Sequence, residues 1–376
     1  LDWHFDKEKW QPYLDDCFHR LHEIPEVSWQ EYRTTAWIKD RLKELGYDLI
    51  TIPNSTGLIG MRGKGPFTVA LRADMDALCH STGAGEQILH SCGHDAHMAM
   101  VLTAAGALAP LSLPEGTALK IVFQPAEEQG EGALRLIESG VMDDVDFLFG
   151  VHLRPGDELP AGKFSPAVKH GAAQTIYGEL TGVPAHGARP YLGINVIEVA
   201  MAFLHLLQGL HFTPLTPASV KMTRFMAGSE ADNIIPGYGR FTLDLRAGTN
   251  EQMEKLTAQV ERMASHVSAA YGAEIKLSTV GKTVAAEVNR EAEGILCRAI
   301  RDSAGPESLA SSLATPGAED FHYYPHLCPR IKAAMMGLGC NVQPGLHHPE
   351  MHFEHAYLIH GAEILARAAW YAMERR

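Results

Sequence analysis

The sequence has little positive charge to spare. Lys and Arg number 32 against 45 Asp and Glu, a formal net charge of -13. There is thus no basic footprint for nucleic acid or an anionic lipid surface, although an acidic chain can still hold a locally cationic metal site. Cysteine is scarce as well: six residues, at 17, 79, 92, 297, 328 and 340, spread over 376 positions. That is too sparse and irregular for a disulfide scaffold, so reduced thiols and a cytoplasmic location are expected. No run approaches the roughly 18 uninterrupted apolar residues of a membrane span. The opening LDWHFDKEKW lacks the charged-then-apolar grammar of a secretory signal. Internal repeats and low-complexity tracts are missing, and no Gly-x-Ser-x-Gly elbow offers a nucleophilic serine. What is there is an ordinary globular composition, 46% hydrophobic and 20% charged. The chain is also longer than the roughly 100 to 200 residues of one domain, so two domains are expected.

Two patterns divide the chain. Residues 10 to 47 read as an amphipathic helical region broken near Pro25, with Ala36, Ile38, Leu42 and Leu45 at near-helical spacing and Gly46 as a stop. Three β-rich runs follow, Thr68 to Leu71, Leu119 to Phe123 and Phe147 to Gly150, separated by helical stretches such as Ala96 to Leu108 and Gly132 to Ser139. That alternation predicts an α/β fold with a mainly parallel sheet and helices on both faces. The runs end in Arg72-Ala73-Asp74, Gln124-Pro125-Ala126-Glu127-Glu128 and Val151-His152, and open sheets of this class bind ligands at the carboxyl ends of their strands. From about 173 to 283 the order becomes strand, helix, two strands, helix, strand: Gln174 to Leu180, Asn195 to Leu210, Ser219 to Met226, Arg240 to Leu245, Glu251 to Tyr271 and Glu274 to Val280. Four antiparallel strands with two helices make an α+β domain of its own. The first domain is therefore expected to be discontinuous, residues 1–172 and 284–376, with 173–283 inserted into it.

The chemistry concentrates at the strand ends. Ser91-Cys92-Gly93-His94-Asp95-Ala96-His97 puts a thiol and two imidazoles at the mouth of a predicted helix, and thiolate and imidazole suit zinc-like ions. A buried free thiol and a helix-capping Asp95 would explain half of it structurally. Glu127 and Glu128 repel each other at a strand end unless a cation stands beside them. One can then bind metal while the other takes a proton from an activated water; the plain alternative is a solvated acidic turn. His152 and His347 supply further nitrogens from separate elements, though a lone His is more often a core or surface residue. Cys92, His94, Glu128, His152 and His347 are too many for one catalytic zinc, which takes three protein ligands and water, and suit two ions.

Taken with their order along the chain, these segments resemble metallopeptidase family M20, in particular the aminoacylase-type amidohydrolases that include auxin-conjugate hydrolases and N-acyl-amino-acid deacylases. The resemblance rests on Leu21-His22-Glu23-Ile24-Pro25-Glu26, Leu71 to Leu78 (LRADMDAL), Cys92 to His97, Gln124 to Glu128, Ala185-His186-Gly187-Ala188-Arg189-Pro190, Asn233 to Pro236 (NIIP), Asp244 to Ala247 (DLRA), Gly317-Ala318-Glu319-Asp320-Phe321 and Leu346-His347-His348-Pro349. It implies a dinuclear centre on Cys92, His94, Glu128, His152 and His347, with Glu127 as general base and acid. It also implies an inserted lid domain, which would dimerise the chain and bring His186 to the scissile carbonyl, and a substrate carboxylate held by Asn233 and Arg246. By itself Arg246 reads equally well as a surface salt-bridge partner. Asp74, Asp76 and Asp95 lie outside the five-ligand set and are expected to orient ligands or hold loops.

The expected activity is hydrolysis of the amide of an N-acyl amino acid or related small conjugate, using two divalent ions per subunit, Mn or Zn first and Co or Ni next. A dipeptidase or carboxypeptidase is the nearest rival. A noncatalytic metal-binding relative is a second, against which the retained ligand set and Glu127 count. Cys79-His80 departs from the family pattern, where Pro usually follows Asp-Ala-Leu, and pocket shape is open there.

Overall fold

The computed structural model describes residues 3–83 and 85–375; residues 1–2, 84 and 376 of the first expected domain lie outside the described residues. The chain divides into two compact units, one of residues 1–169, 287–315 and 319–376, the other of residues 170–286 and 316–318.

The first unit is built on a seven-stranded sheet in the order Asp48–Thr51, Leu58–Gly63, Thr117–Gln124, Phe67–Asp74, Val145–Pro155, Lys332–Val342, Phe164–Ser165. The four middle strands run parallel, as the strand-helix alternation predicted. The edges, formed by short strands that carry no clear run of their own, are antiparallel. Every residue of Thr117–Gln124 is buried, the mark of a strand covered on both faces. The predicted runs lie inside longer strands. Phe67–Asp74 continues past Leu71 through the buried Arg72 and Asp74, because the two side chains pair with each other at 2.7 Å. Val145–Pro155 likewise carries His152 within it.

Helix His94–Leu108 has all of its residues buried and packs against Lys7–His22 and Leu358–Met373. The amphipathic region expected over residues 10 to 47 is two helices, Lys7–His22 and Tyr32–Glu44. The first begins early because the Asp6 side chain accepts from Lys9 N and caps it. Between them the chain runs out of helix past Pro25 and is tied to the sheet by the Ala77 amide donating to Glu26 O at 2.8 Å. That excursion brings Ser28 and Glu31 to the strand ends.

In the second unit, four antiparallel strands in the order Ala218–Ala227, Tyr238–Ala247, Ala172–Thr181, Glu274–Thr283 carry helices Val196–Gln208 and Asn250–Tyr271. Burial alternates along Tyr238–Ala247, with Phe241, Leu243 and Leu245 turned to the helices and Arg240 and Arg246 to the other face. Among the described residues no helix is long and apolar enough to cross a membrane.

Candidate metal centre

The donors come from four places around the carboxyl ends of the middle strands. Cys92 and His94 flank Gly93, which caps helix His94–Leu108 with φ +84°. The positive φ favours glycine there, and a Cβ would also lie 2.7 Å from Leu153 Cδ1, which would have to shift. Glu127 and Glu128 follow strand Thr117–Gln124, His152 lies on the next strand, and His347 comes from a loop whose amide donates to Ser91 O at 2.7 Å.

These residues converge. The donor atoms of Cys92, His94 and His152 lie within 4.8 Å of one another, as do those of Cys92, Glu128 and His347, and those of His94, Glu127 and Glu128. Cys92 Sγ stands 3.6 Å from His152 Nε2, and His347 Nε2 stands 3.5 Å from Glu128 Oε1. Two imidazoles have their tautomers set by carbonyls, which can only accept: His94 Nδ1 donates to Asp76 O at 2.8 Å and His152 Nδ1 to Leu153 O at 2.7 Å. Both therefore turn Nε2 to the cluster, as metal-binding histidines do. His94 Nε2 and Glu128 Oε1 are buried without a hydrogen-bond partner among the described residues. The carboxylate oxygens nearest His94 Nε2 stand at 3.8 to 3.9 Å, outside hydrogen-bond range.

The electrostatics call for positive charge. Burial, and then the charges of Glu319, Glu128 and Asp320, push the Glu127 carboxyl well up. Burial raises Glu128 to about 7. Burial and the nearby Glu128 raise the Cys92 thiol well above its ordinary value. Burial works against a charged His94, yet Asp74 and Cys92 hold that imidazole well up. A thiolate, two imidazoles and carboxylates that stabilise positive charge at one spot fit a divalent cation, and this donor chemistry admits Zn, Mn, Co or Ni.

The supporting residues differ from one another. Asp76 is buried and accepts from Ser28 Oγ and from the amides of Glu127 and Glu128, at 2.6, 3.2 and 3.0 Å. Asp74 binds His97 Nδ1 at 2.7 Å rather than a candidate ligand. His97 Nε2 accepts from Leu153 N at 3.0 Å, so both nitrogens of His97 are engaged and it steadies the strand carrying His152. Asp95 accepts from His22 Nδ1 at 2.7 Å and from Ala96 N at 2.8 Å, and so orients no ligand imidazole. Arg72, fully buried, donates to Asp74, Glu319, Asp320 and Gln124. Sequence reasoning passed over Arg72 and Glu31 and left Glu319 and Asp320 without a role, although LRAD and GAED stand in the motifs. An arginine and paired acids inside apolar runs were the available signal.

In the second unit, His186 and Asn233 are neighbours: Gly187 N donates to Asn233 O at 2.7 Å, and His186 pairs with Ile234 across a two-residue ladder. His186 is exposed, its Nδ1 accepting from Ala188 N at 3.0 Å. Arg246 is exposed and paired with Asp244 on its own strand, at 3.1 to 3.2 Å.

Residues 70–371 match the profile of peptidase family M20/M25/M40. The chain belongs to that family. It is accordingly a hydrolase. A probable hydrolase from Synechocystis sp. is 30% identical over 383 residues, covering 96% of this chain and 95% of that one. The hippurate hydrolase of Campylobacter jejuni is 29% identical, covering 93% and 94%. Among solved M20 structures, a dinuclear metal-binding peptidase from Bacillus subtilis superposes with a TM-score of 0.80 at 26% identity, covering 98% and 99%.

Gly93→Ala tests the geometry of this M20 centre. A left-handed alanine costs roughly 1 to 2 kcal/mol, and the strain falls on the turn between Cys92 and His94. Chemical denaturation should show a lower midpoint and elemental analysis a loss of bound metal; an unchanged protein on both counts would refute the role given to this turn.

Proposed function

We propose that the chain hydrolyses the amide bond of small N-acyl amino acids, with Cys92, His94, Glu128, His152 and His347 holding two divalent cations and Glu127 acting as general base and acid. The observation that carries this is the convergence of five donors and a buried carboxylate, with His94 Nε2 and Glu128 Oε1 left facing the cluster. Two triads of donors have Cys92 in common, so the donor set is large enough to hold a pair of ions. The solved relative described as dinuclear supports that count, and the hippurate hydrolase supports an acyl amino acid as substrate.

When bound, the cations would acidify a water and polarise the acyl carbonyl. Glu127 takes the water's proton, for which a carboxyl pushed upward by burial and neighbouring acids is suited. It then delivers that proton to the departing nitrogen, so a carboxylic acid and an amino acid leave. Asp76 keeps the Glu127 and Glu128 amides in place, and the His94 Nδ1 bond to Asp76 O keeps Nε2 turned to the donor cluster, where it would hold a cation. In the same reading, His186 donates to the developing oxyanion, and Asn233 and Arg246 bind the substrate carboxylate, for which Arg246 exchanges Asp244. The second unit forms the lid and dimer contact, and Mn or Zn is the working metal.

The rival reading, a dipeptidase or carboxypeptidase, is favoured by the description of the Bacillus subtilis relative as a peptidase. The two separate on a panel of N-acetyl, N-benzoyl and indole-acyl amino acids beside plain dipeptides. Release of amino acid from the acylated compounds is expected; turnover of dipeptides alone would make it a peptidase. A chelator should abolish activity, and Mn or Zn should restore it. Activity that survives metal removal, measured by elemental analysis, would sink the proposal. Glu127→Gln should keep its metal and lose at least about 100-fold in kcat, the lower range of general-base contributions. Near-normal turnover would remove Glu127 from that role.

A further inference from the structure

The turn that carries Glu127 is gripped from outside the donor set. Ala126 has φ +51°, left-handed although it bears a Cβ, a conformation that persists only where the surroundings over-determine it. Its amide donates to Glu31 Oε1 at 2.9 Å, and the next two amides donate to the two oxygens of Asp76. Three successive N–H groups around a left-handed residue thus point at two carboxylates, the concave arrangement of backbone amides that binds anions. Ala126 O closes the turn by accepting from Gly132 N at 3.2 Å.

Glu31 is fully buried, at 0% exposure. Its second oxygen accepts from Thr56 Oγ1 at 2.5 Å, which aims the first at Ala126. A buried carboxylate is costly and needs hydrogen bonds to persist, and here those from Thr56 and Ala126 tie it to the turn carrying Glu127. Asp76 also touches His94 and Glu128 N, so its loss would disturb the metal donors; Glu31 touches the turn only at Ala126.

We infer that Glu31 is a positioning residue for the catalytic base: by accepting the Ala126 amide it keeps that residue left-handed and so directs the Glu127 side chain into the donor cluster. This rests on Glu127 being the base. It assigns Glu31 to the orientation of Glu127 and leaves cation binding to the five donors.

The test compares Glu31→Ala, Glu31→Gln and Glu127→Gln as full-length protein reconstituted with Mn or Zn. It follows kcat and KM on N-benzoylglycine, or on whichever N-acyl amino acid the unaltered protein turns over best, with metal content and thermal midpoint. Glu31→Ala is expected to lose tenfold or more in kcat while KM and metal content stay within twofold. Glu31→Gln should recover most of that loss, since its amide oxygen can still accept the Ala126 N–H. A Glu31→Ala protein with kcat within twofold of normal overturns the inference. So does a Glu31→Ala loss that Gln fails to rescue and that follows a fall in thermal midpoint or metal content, the signature of a purely structural role. If Glu31→Ala does not fold, Thr56→Val decides: reduced kcat at an unchanged midpoint supports the assignment, and unchanged kcat refutes it. Full activity in Glu127→Gln would instead condemn the reading of Glu127 itself, so the two failures are told apart.

Discussion

Buried negative charge is the constraint around which the first unit is arranged. Glu31, Asp74, Asp76, Asp95, Glu127, Glu319 and Asp320 all lie out of water near the carboxyl ends of the middle strands. Placing so many acids in one region is tolerable only if each finds hydrogen bonds or a positive neighbour. Arg72 supplies the largest share. Burial works against its charge, but Glu319, Asp74 and Asp320 around it hold the guanidinium firmly protonated. Its planar fork reaches Asp74 on its own strand, Gln124 on the next, and Glu319 and Asp320 on a distant segment at once, which a lysine could not do.

What Arg72 does not neutralise falls to backbone amides and to the metal centre. Asp76 and Glu31 are met by N–H groups of the turn at Ala126, so the same bonds that make these acids tolerable fix the direction of Glu127. His97 donates a hydrogen bond to Asp74 and accepts one from the Leu153 amide, coupling the arginine network to the strand of His152. His94 Nε2 and Glu128 Oε1 face the donor cluster, where a bound cation would give imidazole, sulfur and carboxylate groups a common partner.

The second unit follows different rules. Its two central strands alternate between a face packed on two helices and a more exposed face, so period-2 burial rather than buried charge defines it. His186, Asn233 and Arg246 are all exposed on it. Asp244 is the partner Arg246 has here.

The sequence by itself determined the fold class and the candidate donors. Strand-helix alternation marks the parallel core, and thiol, imidazole and carboxylate types gathered at several strand ends point together to metal chemistry. Even Ser91 to His97 and Glu127-Glu128 could be placed, because local pattern sets which residues follow a strand. Only the tertiary structure decided which acids serve which partners. Asp74 went to His97, Asp95 to His22, and Asp76 to both His94 and the turn of Glu127. Glu31, 95 positions before Ala126, became the partner of its amide. Those choices depend on hydrogen-bond distances between segments far apart in the chain, and period and composition carry no record of which distant groups will meet.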